Sequence, residues 1–195
     1  MRKRFLVEEQ RANFFRIINK YVSDERVLLK PVTIKCEESF SGSPSKITCK
    51  YQEGSSKKTL QIQDTSVIGP VFDSLIEKYS DTYKSLRDIK FVNYSVHPFF
   101  EGRGRNSNAM AEVILEVSSV RKDSIPFRSK DVSVLRASIS CVFSCVEYYI
   151  NSEICFKKLK FLIEDAKSRG RSDIMQIYVS DISEMVKNNS YEGID

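Results

Sequence analysis

At 195 residues, with 41% hydrophobic and 29% charged side chains, the chain can bury a core and is too apolar to stay disordered. No apolar run reaches bilayer length; the best, over 137–150, is interrupted by Ser140, Ser144 and Glu147. The net charge of +5 is scattered among 26 acidic residues in short knots such as Arg2-Lys3-Arg4, Ser56-Lys57-Lys58 and Arg103-Gly104-Arg105, a pattern of solvated surface.

The N-terminus turns acidic at Glu8-Glu9 before an apolar core can form, so a secretory signal is not expected and the chain reads as intracellular. The expected compartment is the cytoplasm, with mitochondria as the other candidate. Cys36, Cys49, Cys141, Cys145 and Cys155 include no CxxC pair and are read as reduced, mostly buried thiols. One histidine, His97, leaves little for a zinc site; no metal and no cofactor are expected.

Residues 5–22 carry Phe5, Leu6, Phe14, Phe15, Ile17, Ile18 and Tyr21 at helical spacing, which predicts a helix. Three alternating runs follow at 32–36, 47–51 and 60–62, separated by Ser41-Gly42-Ser43-Pro44-Ser45 and Glu53-Gly54-Ser55-Ser56. Pro70, in the first turn of the next helix, gives up an N–H that would have no partner there. Val71, Phe72, Leu75, Ile76 and Tyr79 then form an apolar stripe. The order repeats: strands over 89–96, 109–117 and 125–127, then a helix over 132–151. Helical stretches over 154–166 and 173–186, parted by Ser168-Arg169-Gly170-Arg171, complete the chain. The reading is α+β, with two βββα units whose antiparallel three-stranded sheets are each covered by a helix. The domain organisation is a helical segment 1–26, the two units over 27–152, and a helical extension 153–195.

Three segments carry a family resemblance. They are Val67-Ile68-Gly69-Pro70-Val71-Phe72-Asp73-Ser74-Leu75; Asn93-Tyr94-Ser95-Val96-His97 with Gly104-Arg105-Asn106-Ser107-Asn108-Ala109-Met110-Ala111; and Asp131-Val132-Ser133-Val134-Leu135-Arg136-Ala137-Ser138-Ile139. In this order they resemble the C-terminal regulatory domain of the 2-isopropylmalate synthase and citramalate synthase family. That resemblance implies an allosteric and dimerisation domain that binds leucine, for feedback inhibition of a separate TIM-barrel acyltransferase in leucine biosynthesis. It also implies an effector pocket at Gly69, Pro70, Val71, Phe72, Phe91, Tyr94, Pro98, Ser107 and Ala109. The implied partners are leucine or a related branched-chain amino acid and a second copy or a full-length synthase; no membrane partner is expected, and the scattered charge disfavours nucleic acid. By the same resemblance, residues 5–22 look like part of the linker subdomain that precedes the regulatory domain.

The departures are Val67 where the family has glycine, Phe72 where it has a small residue, Pro98 where it has alanine, and Arg128-Ser129-Lys130 in place of a glycine pair. A phenyl ring at Phe72 would occupy space that a leucine side chain uses. The barrel's metal ligands cannot be built from one histidine, so the chain is not expected to be an enzyme by itself and no catalytic residue is assigned. Two other readings stay open: a ligand-free dimerisation or interaction module, favoured by Phe72 and Pro98, and a basic nucleic-acid binder, favoured by charge and the Arg-Gly-Arg loop. His97 reads as a structural hydrogen-bonding residue, since no nucleophile or carboxylate partner accompanies it in sequence.

Overall fold

The computed structural model describes residues 13–100, 109–119 and 124–188. The sequence-predicted helix before residue 13, the Arg103-Gly104-Arg105 loop and Ser107 lie outside the described residues. By contacts the chain forms two compact units, one of Val27–Tyr148 and one from Met1–Arg26 with Tyr149–Asp195.

The larger unit is α+β. Strands β1 (Leu29–Glu37), β2 (Ser45–Glu53) and β3 (Ser56–Asp64) form one antiparallel sheet in that order. Strands β4 (Lys90–Phe100), β5 (Ala109–Ser118) and β6 (Ser124–Asp131) form a second. Helix α2 (Ile68–Tyr79) and a 3-10 turn (Lys84–Asp88) follow the first sheet, and helix α3 (Val134–Ser168) follows the second. The alternation read from sequence is the pleat itself. On β2, Ser45, Ile47, Cys49 and Tyr51 are buried, while Lys46 and Lys50 among the alternate positions are exposed. Gly54, at φ +56°, sits in the tight β2–β3 turn, a conformation that L side chains rarely adopt.

The third strand of the second unit, expected over 125–127, runs eight residues. Pro126 is tolerated because β6 is an edge strand, where a missing N–H costs no ladder bond. The larger correction concerns α3. A helix ending at 151 and a second over 154–166 were expected; one helix of 35 residues spans both. Asn151, Ser152 and Glu153 look like a break but are buried inside it, and Lys157 Nζ sits 2.6 Å from Glu153 one turn on.

Helix α3 serves both sheets. Toward the first, the Phe143 ring meets Tyr51 at 5.1 Å, and Glu147 accepts the Leu29 N–H at 3.0 Å. Toward the second, the Cys141 thiol lies 3.5 Å from the carbonyls of Val113 and Phe127, and Tyr148 packs edge-on against Phe127. A helix with apolar neighbours on several sides loses its polar stripe, and residues 137–150 are buried at all but three positions.

The second unit is helical. Helix α1, described over 13–22, buries Phe14, Ile17, Ile18, Tyr21 and Val22. Its Tyr21 packs on Tyr178 of α4 (Ser172–Asn188), and Lys20 and Tyr21 both donate to Asp181 at 2.9 and 2.7 Å. Between α3 and α4, Gly170 at φ +66° closes α3. Its N–H bonds the Lys167 carbonyl and the Arg171 N–H bonds the Ala166 carbonyl, the paired bonds of a Schellman cap. Among the described residues no helix is long and apolar enough to cross a membrane.

Candidate functional site

Helix α2 begins without help from its own side chains. Val67 precedes it with no side-chain capping bond, and its first turn holds no acidic residue. The Val71 N–H makes the first helical bond, to the Val67 carbonyl at 3.3 Å. The N–H groups of Ile68 and Gly69 therefore have no intrahelical acceptor, and the positive end of the helix dipole is uncompensated. Gly69 does not owe its place to backbone strain: a Cβ there would meet only Ser66 Oγ, at 3.9 Å. Val67, at φ −106°, shows that the position needs no glycine either.

Farther along α2, Val71 and Phe72 are buried, and the Phe72 ring packs edge-on against Phe91 at 5.7 Å. Phe91 in turn lies 6.4 Å from Tyr94. Tyr94 and Ser138 hydroxyls are 2.7 Å apart, and Ser138 donates its one proton to the Val134 carbonyl at 2.7 Å. Tyr94 must then be the donor to Ser138. This row of rings joins α2, β4 and the first turn of α3.

A cleft of about 460 Å3 opens beside that row, lined by Cys36, Glu38, Val67, Ile68, Tyr94, Val134, Leu135 and Ser138. It brings together the start of α2, one carboxylate, two hydroxyls and four aliphatic side chains, which is the size and make-up of a small-molecule pocket. Of the residues the resemblance implied, Tyr94 lines this cleft, and Gly69 and Pro70 follow its wall residue Ile68 along the helix. Phe72 and Phe91 stand behind Tyr94, and Val71 lies wholly in the core. Pro98 is exposed on β4 opposite Ala111, about 13 Å of strand beyond Tyr94. Ala109 pairs with Phe100 at the far end of the same ladder. Glu38, Cys36, Val134, Leu135 and Ser138 were not assigned from sequence. Val134, Leu135 and Ser138 belong to the Asp131–Ile139 motif, but nothing in the chain order signals that Glu38 lines the same cleft.

A second cleft, about 560 Å3, lies along the outer edge of β1, where Pro31, Val32, Thr33 and Ile34 face Leu135, Arg136 and Ile139 of α3. Its one ion pair, Arg136 with Asp131 at 2.6 Å, is internal to the wall. The backbone N–H of Ser133, helped by Arg136, holds the Asp131 carboxyl below the ordinary range.

His97 is exposed on the outer face of the second sheet, with Nε2 3.2 Å from Ser95 Oγ. None of the five cysteines forms a disulfide; four are buried, and burial pushes Cys49 up to about 11 and Cys155 up to about 12. Among the described residues no three His, Cys, Asp or Glu side chains are placed to hold a metal. No protein-family model matches the chain, and no curated protein matches it by sequence.

Proposed function

We propose that this chain is a regulatory module that binds a branched-chain amino acid, leucine first among them, in the cleft at the start of α2. It has no catalytic role of its own in this reading, and reports occupancy to an acyltransferase of the 2-isopropylmalate synthase type, as the family resemblance implies. The observation that carries the reading is the composition of one cleft. Amide N–H groups at a helix start suit a carboxylate, Glu38 suits an ammonium group, and Val67, Ile68, Val134 and Leu135 suit a branched aliphatic side chain. Phe72 does not stand against it, because its ring is spent on Phe91 while the cleft beside Tyr94 stays open.

The test is the thermal midpoint of the purified chain with millimolar leucine, isoleucine or valine. Ligand at a hundred times its Kd adds about 2.7 kcal/mol of stability, a shift of several degrees. Glu38→Gln should abolish most of that shift while leaving the unliganded midpoint in place. If none of the three amino acids moves the midpoint, the effector reading fails, and ligand-free pairing becomes the reading to test by oligomeric state.

A further inference from the structure

The two sheets of the larger unit turn different outer faces to solvent. On the first, the register places Lys30, Lys35, Lys46, Lys50 and Lys57 on the face opposite the core, all exposed. One carboxylate, Glu37, shares that face, and every other ladder-paired position on it is threonine or glutamine. None of the five lysines forms an ion pair among the described residues. The corresponding face of the second sheet is mixed: Lys90, Arg128 and Lys130 share it with Glu112 and Glu116, and Glu112 pairs with Lys130 at 3.9 Å. Solvation alone would ask no more of one face than of the other.

We infer that the outer face of β1–β3 is a docking surface for the phosphate backbone of a nucleic-acid duplex. The inference is independent of the effector cleft. Same-face residues recur about every 7 Å along a strand, and strands lie about 4.8 Å apart, so the lysines form a flat cationic field roughly 10 Å wide and 20 Å long. A duplex offers a matching line of phosphates, and threonine and glutamine add neutral donors between the charges. Single strands are disfavoured because the strands' one aromatic residue, Tyr51, is buried on the other side, and the exposed Phe40 of the β1–β2 loop is a lone ring rather than a row on which successive bases could stack. A protein partner is disfavoured because the exposed apolar side chain of these three strands, Val32 at the β1 bulge, stands singly beside lysines and no aromatic anchor accompanies it on that face. A lipid surface is disfavoured by the lack of an apolar side chain to insert among the ladder-paired positions.

The experiment is fluorescence anisotropy of the full chain with a labelled 24-base-pair duplex of arbitrary sequence, between about 50 and 200 mM salt. Five phosphate contacts predict a log–log slope near −4.5, a roughly 500-fold loss of affinity over that range. The variant with all five lysines changed to glutamine should lose this salt-dependent binding, whereas Arg128→Gln with Lys130→Gln should keep it. Single variants Lys35→Gln and Lys50→Gln, which leave the fold intact, should each flatten the slope by about one. The inference is overturned by any of three results: wild-type binding in the five-lysine variant, tighter binding to a single strand, or binding to phosphatidylserine vesicles with none to duplex.

Discussion

The two βββα halves share a ground plan and differ in how their cores are tied. In the first, a polar chain runs through the interior: Tyr51 donates to Tyr79, and Tyr79 donates to the Glu53 carboxylate at 2.9 Å, with Lys78 Nζ 5.2 Å from the centre of the Tyr51 ring. In the second, the interior is mostly apolar, and its polar contacts include the Tyr94–Ser138 pair and the Cys141 thiol against two strand carbonyls. One half therefore depends on protonation state and the other on packing. The helix between them makes the difference matter, because α3 supplies Phe143 and Glu147 to the first sheet and Cys141 and Tyr148 to the second.

The strongest way to break this contrast is to hollow each half in turn. Phe127→Ala and Phe143→Ala each remove a fully buried ring and should cost about 3–5 kcal/mol. If α3 makes the halves one cooperative structure, hydrogen exchange at Cys49 should accelerate as much in the Phe127 variant as in the Phe143 variant. Acceleration confined to the mutated half would show two separable folds.

A smaller effect sharpens the difference. Tyr79→Phe removes the hydroxyl that links Tyr51 to Glu53 and should cost about 1–2 kcal/mol near neutral pH. Burial first, then the bonds to Tyr51 and Glu53, raises the Tyr79 phenol far above its ordinary value. Burial likewise raises the Cys49 thiol from 9.0 to about 11. A raised acid is held protonated by folding, so its contribution is complete below the unfolded-state pKa and is lost as pH climbs past it. Urea titrations should therefore show stability falling above pH 9 in the wild type, with a shallower fall in Tyr79→Phe. Equal slopes in the two proteins would remove Tyr79 from the alkaline limb.

The smallest expected change is a gain. Gly69→Ala meets no steric obstacle in the first turn of α2 and should stabilise the chain by about 0.5 kcal/mol, read as a midpoint shift in urea. A loss of stability there would mean that the glycine is needed after all.

Much of the α+β plan was legible because each sheet has a polar outer face, which keeps alternation visible in β1, β2 and β5. What failed was the helix that both sheets share. Asn151 and Ser152 have low intrinsic helix propensity, and the burial that overrides propensity cannot be seen one residue at a time. The site was legible only in part, and for a similar reason. Tyr94 and the Gly69-Pro70 helix start belong to local motifs, but Glu38 and Ser138 come to line one cleft from a hundred residues apart in the chain, where no spacing rule reaches.

The shared helix also imposes an order on folding during synthesis. The strands of the first sheet are complete at Asp64, and α2 follows at once, yet the rings and carboxylate that finish its core arrive with Phe143 and Glu147. At the usual 5–20 residues per second this leaves on the order of 5 to 20 s in which Tyr51 and the Leu29 amide lack their permanent neighbours. During that interval the flank of the nascent sheet destined for α3 is open to chaperones and to unwanted strand pairing, and an exposed row of lysines on its other face is the feature that discourages the latter.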